Sequence, residues 1–235
     1  NLAAQAGFDF FLRIKFTPDF SRMSPEKFLN ECLKETLHAH TIVVGEDWSF
    51  GSDASAGREE LLGLAGHLGY QAYVVPPVRL DGERVSTRAV KYALSRGDLP
   101  RVSKLLGRNF ELSGKVQHGL KRGRALGFPT ANLRLRRALL PPDGVYAVLV
   151  RYDSVVYPAV TNIGFRPTFG SYTDHLVETH LLGDAPHELY GKRIRLEFVC
   201  RLRQEIKFPS AAELTTQIAN DVQEAKLLLK SYRKD

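Results

Sequence analysis

The sequence is poor in sulfur-containing residues and has no long apolar run. It contains one methionine and two cysteines, Cys32 and Cys200, which lie far apart and in apolar contexts. Neither cysteine has the spacing of a metal site, and two such thiols are more often buried and reduced than paired. No segment approaches the roughly 18–20 apolar residues of a membrane span, and the first residues lack the pattern of a secretory signal. We therefore expect a cytoplasmic protein that has no membrane partner and no structural disulfide.

The positive charge of the chain is unevenly distributed. The formal net charge is +7. Residues 1–110 contain 14 basic and 13 acidic side chains, whereas residues 111–235 contain 19 and 13. A basic second half is compatible with a nucleotide partner, with a nucleic acid, or with a merely soluble surface, and charge alone does not separate the three.

The first part of the chain alternates the signals of strands and helices. The first helix signal begins with the capping residue Ser24 and with Pro25, which suits the first helical position. This alternation predicts parallel strands covered by helices, an α/β domain. Since ligands of such sheets lie beyond the carboxyl ends of the strands, the loop after Gly45 is a candidate site. The predicted strands are residues 9–16, 40–45 and 71–77, and the predicted helices are residues 24–37, 57–70, 87–97 and 99–107.

The second part instead has short runs rich in Val, Leu, Ile and Tyr that are separated by turn residues. This spacing predicts a small antiparallel barrel. The segment TNIGFRPTFG, residues 161–170, is predicted to be a structured loop, because it is rich in turn formers. A final helix is predicted from Ser210, with Glu213 completing a capping box. We place the domain boundary near residue 108, which gives domains of residues 1–108 and 109–235.

The segment that leads from Gly119 to Asn132 has the composition of a metal–nucleotide site. Glycines let the backbone approach an anion, and basic side chains supply positive charge. Thr130 and Asn132 offer neutral oxygen atoms that suit Mg²⁺, which takes its remaining ligands from phosphate and water. A hairpin turn with capping Thr and Asn side chains explains the same pattern. The other glycines are Gly123 and Gly127, and the basic residues are Lys121, Arg122 and Arg124.

An acidic residue stands in the otherwise apolar strand signal HLVETHLLG. On a strand, Glu178 and His180 share one face. A carboxylate among apolar residues is costly to desolvate without a partner, which makes Glu178 a candidate general base. The alternative is a surface strand with its polar side outward. We interpret His180 as a hydrogen-bonding support.

These motifs, in their order along the chain, resemble the riboflavin kinase family. The likeness covers residues 108–230 and rests on GRALGFPTANL, LPPDGVYAVLV, TNIGFRPTFG and VETHLLG. It implies a six-stranded antiparallel β-barrel with a C-terminal helix. It also implies transfer of the γ-phosphoryl group of ATP to the 5′-hydroxyl of riboflavin, which gives FMN and ADP.

The resemblance implies roles for individual residues by position. Glu178 would be the catalytic base, and Thr130 and Asn132 would hold Mg²⁺ and the phosphates. The implied ATP-binding residues are Gly119, Arg124, Gly127, Thr130, Asn132 and Tyr190. The implied flavin-binding residues are Arg203, Glu205, Asn162 and Gly164.

The first 108 residues resemble the nucleotidyltransferase domain, Rossmann-like in fold, of the bacterial bifunctional riboflavin kinase/FMN adenylyltransferase (FAD synthetase) family. The likeness rests on FTPDFSRMSPEKFL, VVGEDWSFG and VSTRAVKYALSRGDLPRVSKLLGR. It implies a reaction of FMN with ATP that gives FAD and pyrophosphate. Asp47, Phe50 and Ser86 fall on positions that serve nucleotide or flavin binding.

This part departs from the family pattern in two ways. The family's first strand and its histidine-glycine-histidine motif should precede Asn1. In addition, Arg88 and Lys91 replace the threonine and the arginine of the family's Ser-Ser-Thr-x-x-Arg signature. We therefore expect an incomplete domain in which adenylyl transfer is absent or severely impaired.

Two further hypotheses stay open. The chain could be a fully bifunctional enzyme whose first strand and histidine motif are not present here. A small basic barrel could also bind RNA or single-stranded DNA through basic grooves and stacked aromatics. Against this second hypothesis, the aromatic and basic residues do not interleave on one strand, and the FPTAN and VETH motifs have no role in such a module. We expect riboflavin or FMN and ATP or ADP as partners, and no nucleic acid.

Overall fold

A computed structural model describes residues 2–119, 123, 126–135, 138–166, 174–183, 186 and 188–232, except for the side chains of Phe165, Arg166 and Asp174. The chain divides into two compact units, Asn1–Arg79 and Leu80–Asp235. The boundary near residue 108 separates two sequence likenesses and stays a prediction. Within the described ranges, no helix is long and apolar enough to cross a membrane.

The first unit is built around a short β-α-β arrangement. Strand β1 (Thr41–Gly45) pairs in parallel with β2 (Gln71–Val75), and helix α4 (Arg58–Leu68) connects them. This confirms the predicted α/β pattern. The helices before β1 are α1 (Leu2–Gln5), α2 (Pro18–Ser21) and α3 (Pro25–Lys27), which continues as the π-helical segment Phe28–Thr36, and a 3₁₀ turn, Ser52–Ala54, precedes α4.

The local signals explain where these helices begin and end. The Ser24 hydroxyl accepts a hydrogen bond from the Lys27 amide at 3.3 Å, so the predicted cap is present. Helix α4 ends at Gly69, whose φ of +77° is left-handed and favours glycine. The core of this unit joins the π-helical segment to α4. Leu29 of the first and Leu61 of the second are fully buried, and the Tyr70 hydroxyl donates to the Leu29 carbonyl at 2.6 Å.

The strand predicted at residues 9–16 is not formed. The segment has no regular structure, and Phe10 and Phe16 are 92% and 77% exposed. The prediction was wrong because an apolar run becomes a strand only when a neighbouring strand takes its backbone hydrogen bonds. No such pairing involves this segment in the described part of the chain.

The second unit is a closed six-stranded barrel, as the sequence predicts. Every neighbouring pair is antiparallel, in the order β10-β5-β6-β9-β8-β7. Closure gives each strand a partner on both sides, so no edge is left open. The strands are β5 (Phe110–Gln117), β6 (Ala131–Arg134), β7 (Gly144–Tyr152), β8 (Val155–Arg166), β9 (Asp174–Leu181) and β10 (Arg193–Arg203), after a short ribbon of β3 (Arg79–Leu80) and β4 (Glu83–Arg84).

Three helices pack against the barrel. Helices α5 (Thr87–Ser95) and α6 (Leu99–Leu106) contribute buried leucines to the main core. Helix α7 (Ala211–Leu229) starts at the predicted cap, where the Ser210 hydroxyl accepts from the Glu213 amide at 3.2 Å, and a 3₁₀ turn, Lys230–Tyr232, follows it. Its apolar stripe forms a second core with the outer faces of β7 and β8. The members of this second core include Val145, Ala147, Leu149, Val160, Val222, Ala225 and Leu229.

The segment predicted as a loop at residues 161–170 is in part a strand. Strand β8 continues to Arg166 and pairs on one side with β7 and on the other with β9. The turn-forming residues of this segment are held in strand geometry because β9 pairs with it as far as Arg166 and β7 as far as Ile163. Residues 167–170 lie outside the described part of the chain.

Candidate active site

The strand register brings three predicted site residues into one row. Asn132 on β6 lies opposite Glu178 on β9, and Glu178 lies opposite Asn162 on β8. Residues directly opposite each other in a sheet point to the same face, so these three side chains are neighbours on the outside of the barrel. The alternation is confirmed at the adjacent pair of the ladder, where Thr161 and Thr179 are fully buried and their hydroxyls hydrogen-bond at 2.9 Å.

Two cavities meet at this face. The larger has a volume of about 740 Å³, and Glu178, Asn162 and Arg203 line it. The smaller has a volume of about 540 Å³, and its wall includes Gly127 and Tyr190. Both are lined by Phe128, Thr130 and His180. Glu178 and Asn162 of the row therefore face the larger cavity, and Thr130 lies where a ligand in one cavity could reach a ligand in the other.

Of the predicted ATP-binding residues, Gly127, Thr130 and Tyr190 line the smaller cavity, and Gly119 packs against Asn132. Asn132 is only 5% exposed, and a Cβ atom added at Gly119 would overlap its side-chain amide. The chain just after β5 passes so close to Asn132 that position 119 requires glycine. The ring of His118 stacks on Tyr190 with centroids 4.0 Å apart. Arg124 lies outside the described residues.

His180 is tied to the turn that carries Thr130. Its Nδ1 atom lies 2.8 Å from the carbonyl oxygen of Pro129. Its ring also meets the ring of Phe128 edge to face, with centroids 5.5 Å apart. The hydrogen-bonding interpretation of His180 agrees with these contacts.

Sequence reasoning missed Asp221, which holds the predicted flavin-binding residue Arg203. The Arg203 guanidinium donates through Nε and Nη2 to the Asp221 carboxylate at 2.8–3.1 Å. Asp221 is 3% exposed and also accepts from the Gln217 amide at 2.9 Å. A usable signal existed, because Asp221 stands at a helical spacing of three and four from Ile218 and Ala225 in the apolar stripe.

The other predicted flavin-binding residues lie at the same cavity wall. Glu205 lines the larger cavity, and its carboxylate comes so close to Gly164 that a Cβ atom there would overlap it. Arg203 also lies over the ring of Phe208, 5.7 Å from the centroid. The wall opposite the β8–β9 face is thus built from the end of β10 and the residues that lead into α7.

Two of the three residues predicted from the nucleotidyltransferase likeness, Phe50 and Ser86, make structural contacts in this fold. Phe50 is buried and stacks on Trp48 with ring centroids 4.4 Å apart, whereas Asp47 in the same loop is exposed. The Ser86 hydroxyl caps α5 by accepting from the Ala89 amide at 3.2 Å. Ser86 belongs to the second compact unit.

Comparisons with known proteins agree with the geometry of the barrel. A family model described as riboflavin kinase matches residues 106–229, and one described as FAD synthetase matches residues 1–89. The bifunctional riboflavin kinase/FMN adenylyltransferase of Haemophilus influenzae is 36% identical over 97% of this chain and 73% of its own length. The protein of the same name from Escherichia coli K12 is 38% identical, over 93% of this chain and 69% of its own.

A solved structure from Streptococcus pneumoniae shares the fold. It aligns with a TM-score of 0.79 and 30% identity, over 90% of this chain and 68% of that one. That protein is described as a macrolide-efflux protein, an activity that differs from the names of the two relatives above. The family models and those relatives agree over both parts of the chain. The chain therefore belongs to the bifunctional riboflavin kinase/FMN adenylyltransferase family.

Proposed function

We propose that this chain transfers the γ-phosphoryl group of ATP to the 5′-hydroxyl of riboflavin, with FMN and ADP as products. The observation that carries the proposal is the row of Asn132, Glu178 and Asn162, in which Glu178 and Asn162 line the larger cavity together with Thr130, a residue that also lines the smaller cavity. Phosphoryl transfer needs an acceptor hydroxyl and a nucleotide held in line, with a carboxylate to take the hydroxyl proton. Two adjoining cavities, one for each substrate, and an acid in the wall of the larger one satisfy that requirement.

The two cavities differ in the ligand that suits them. The larger one includes apolar side chains such as Ile206 and Phe208 beside polar groups of Arg203 and Glu205, which fits a flat ring system with polar edges. The smaller one adjoins the glycine-containing turn and the Tyr190 ring, which fits a nucleotide. We therefore assign the flavin to the larger cavity and ATP to the smaller.

Glu178 is assigned as the general base. As the ribityl oxygen attacks the γ-phosphorus, its proton passes to the Glu178 carboxylate, and the bond from the γ-phosphorus to the leaving oxygen of ADP breaks. Glu178 is half-buried and faces the larger cavity. Asn162, directly opposite on β8, offers an amide that can orient the ribityl chain.

Thr130 and Asn132 are assigned to a Mg²⁺ ion that accompanies ATP. Among the residues that the structure describes, no three His, Cys, Asp or Glu side chains lie together as a metal site. The neutral oxygens of Thr130 and Asn132 fit an ion that takes its other ligands from phosphate and water. When bound, Mg²⁺ neutralises the charge that develops on the phosphates.

Adenylyl transfer from ATP to FMN is the second candidate function. The match of residues 1–89 to FAD synthetase supports it, and Arg88 and Lys91, where the family has threonine and arginine, weigh against it. We keep the expectation that this chain makes FAD slowly or not at all. We also place the protein in the cytoplasm, where ATP is supplied.

One assay tests both functions. The purified chain is incubated with riboflavin, ATP and Mg²⁺, and the flavin products are separated by chromatography. We expect FMN and ADP in equal amounts and little FAD. Absence of FMN would contradict the kinase assignment, and rapid conversion of added FMN to FAD would contradict the expectation for adenylyl transfer.

A further inference from the structure

The pairing between β6 and β9 stops just before the turn that carries Thr130. The last paired residues are Ala131 and Thr179. Continuing the same register would place Thr130 opposite His180. Pro129, one residue further back, has no backbone N–H and cannot donate a hydrogen bond to extend the ladder. Its carbonyl oxygen is instead 2.8 Å from His180 Nδ1.

This contact fixes which ring nitrogen of His180 carries the proton. A carbonyl oxygen only accepts hydrogen bonds, so Nδ1 must be the donor. The neutral ring then has its lone pair on Nε2. The Phe128 ring, which meets His180 edge to face, further restrains the orientation of the imidazole.

We propose that His180 is a positioning residue, which acts through Pro129 to hold Thr130 at the meeting of the two cavities. Thr130 is then fixed from both sides, because the Pro129 carbonyl is bound by His180 and Ala131 is paired with β9. Strand β9, which carries His180, also carries Glu178 two residues earlier and on the same face. A single strand therefore sets the distance between the residue assigned to the phosphates and the residue assigned as the base.

This inference rests on the proposed kinase activity. It assigns His180 no contact with the reacting atoms, so His180 is not a catalytic residue. It predicts that the rate of FMN formation depends on the hydrogen-bond donor at Nδ1 of His180 and does not depend on Nε2.

Two substitutions separate the ring nitrogens. His180→Asn places an amide nitrogen near the position of Nδ1, and His180→Gln places one near the position of Nε2. Both remove the ring and its contact with Phe128, so their difference isolates the hydrogen bond. Because such a bond contributes modestly, we expect kcat for FMN formation to be about tenfold lower in the Gln variant than in the Asn variant. The KM for riboflavin should be similar in the two.

A second measurement does not depend on turnover. In the protein labelled with ¹⁵N-histidine, long-range proton–nitrogen correlations report which ring nitrogen is protonated. The chain has seven histidines, and the His180 signal is the one that disappears in the Asn variant. We expect the Nδ1-protonated form for His180, whereas exposed histidines favour the Nε2-protonated form.

The outcomes distinguish this inference from the proposed function. If the unaltered chain makes no FMN, the proposed function fails, while the NMR result still tests the hydrogen bond. If the unaltered chain is active but the Gln variant equals or exceeds the Asn variant, His180 does not act through Pro129. An Nε2-protonated His180 would overturn the inference by itself.

Discussion

The two compact units use strands in opposite ways. The barrel gives each of its six strands two neighbours, whereas the first unit has one parallel pair, β1 and β2. The difference shows in the apolar side chains. Tyr146 and Phe198 are fully buried in the barrel, while Phe10, Val43 and Tyr73 of the first unit are more than half exposed. Sheet closure, rather than local sequence, decides how much apolar surface a strand can bury.

The same contrast explains where a site can be built. In the barrel, register fixes Asn132, Glu178 and Asn162 as a row, since each strand is held from both sides. In the first unit, the loop after β1 has one buried aromatic, Phe50, and an exposed acid, Asp47. Changes in the barrel should therefore alter catalysis, and matched changes in the first unit should not.

The largest expected effect is that of Glu178→Gln. Gln keeps the size of the side chain and cannot accept the ribityl proton, so kcat for FMN formation should fall by about 10²–10⁴-fold. Affinity for riboflavin, measured by flavin fluorescence, should change little. The matched variant Glu59→Gln removes an exposed carboxylate from α4 and should leave the rate unchanged. Near-normal turnover of Glu178→Gln would exclude it as the base.

The next effect contrasts a buried ion pair with an exposed one. Asp221→Ala leaves the Arg203 guanidinium without its partner, and breaking a buried pair in this way costs about 3–5 kcal/mol in the free energy of unfolding. Asp19→Ala breaks a pair with Arg22 whose side chains are 91% and 74% exposed, and should change stability by less than about 1 kcal/mol. Urea titrations measure both. Equal losses would mean that the Arg203–Asp221 pair contributes no more than a surface pair.

A pair of glycine substitutions compares a crowded backbone with an open one. Gly119→Ala would force a Cβ atom into the Asn132 amide, so kcat/KM for ATP should fall by about tenfold or more. Gly63 lies in the exposed middle of α4 with no atom near a Cβ, so Gly63→Ala should stabilise the first unit by about 0.5–1 kcal/mol. Kinase assays and thermal melts of both variants test the contrast. Full activity of Gly119→Ala would show that the site tolerates a shift of Asn132.

The smallest effect concerns the thiol in the barrel. Burial raises the pKa of Cys200, and the nearby Glu224 carboxylate raises it further. A higher pKa leaves less thiolate at a given pH, so alkylation by iodoacetamide at about pH 8 should be slower in the folded chain than in urea. The Cys32→Ser variant reports on Cys200 alone. Equal rates in the folded and unfolded chain would contradict the protected position of this thiol.

Local sequence patterns correctly predicted the features that depend only on neighbouring residues, namely which side chains share a strand face and where helices begin. Alternation along β9 placed Glu178 and His180 together, and the capping signals at Ser24 and Ser210 were confirmed. The strand at residues 9–16 was predicted wrongly because pairing, which local sequence does not encode, decides whether an extended run becomes a strand. Part of the loop predicted at residues 161–170 is strand for the converse reason, since pairing with β9, and up to Ile163 also with β7, outweighs the preference of its turn-forming residues.

The ion pair between Asp221 and Arg203 could not be predicted from the sequence, because it joins a helix to the end of a strand and depends on how α7 docks. The spacing of Asp221 within the apolar stripe was the one local sign that it is buried. The roles of Thr130, Asn132 and Glu178 came from motif resemblance. That Asn132 and Glu178 share one row follows from barrel register, which only the fold supplies.

Helix α7 contributes both to the second core and to the wall of the larger cavity, and these two contributions are thermodynamically linked. Its stripe seals the second core against β7 and β8, and Leu214, Ile218 and Asp221 also line the larger cavity. A ligand that fills this cavity rests on the helix as well as on the barrel, so it binds the docked form in preference to the undocked one. The part of the binding free energy that depends on contacts with the helix is therefore added to the free energy needed to undock it. Amide hydrogen exchange along residues 211–229 thus becomes a readout of cavity occupancy that needs no turnover.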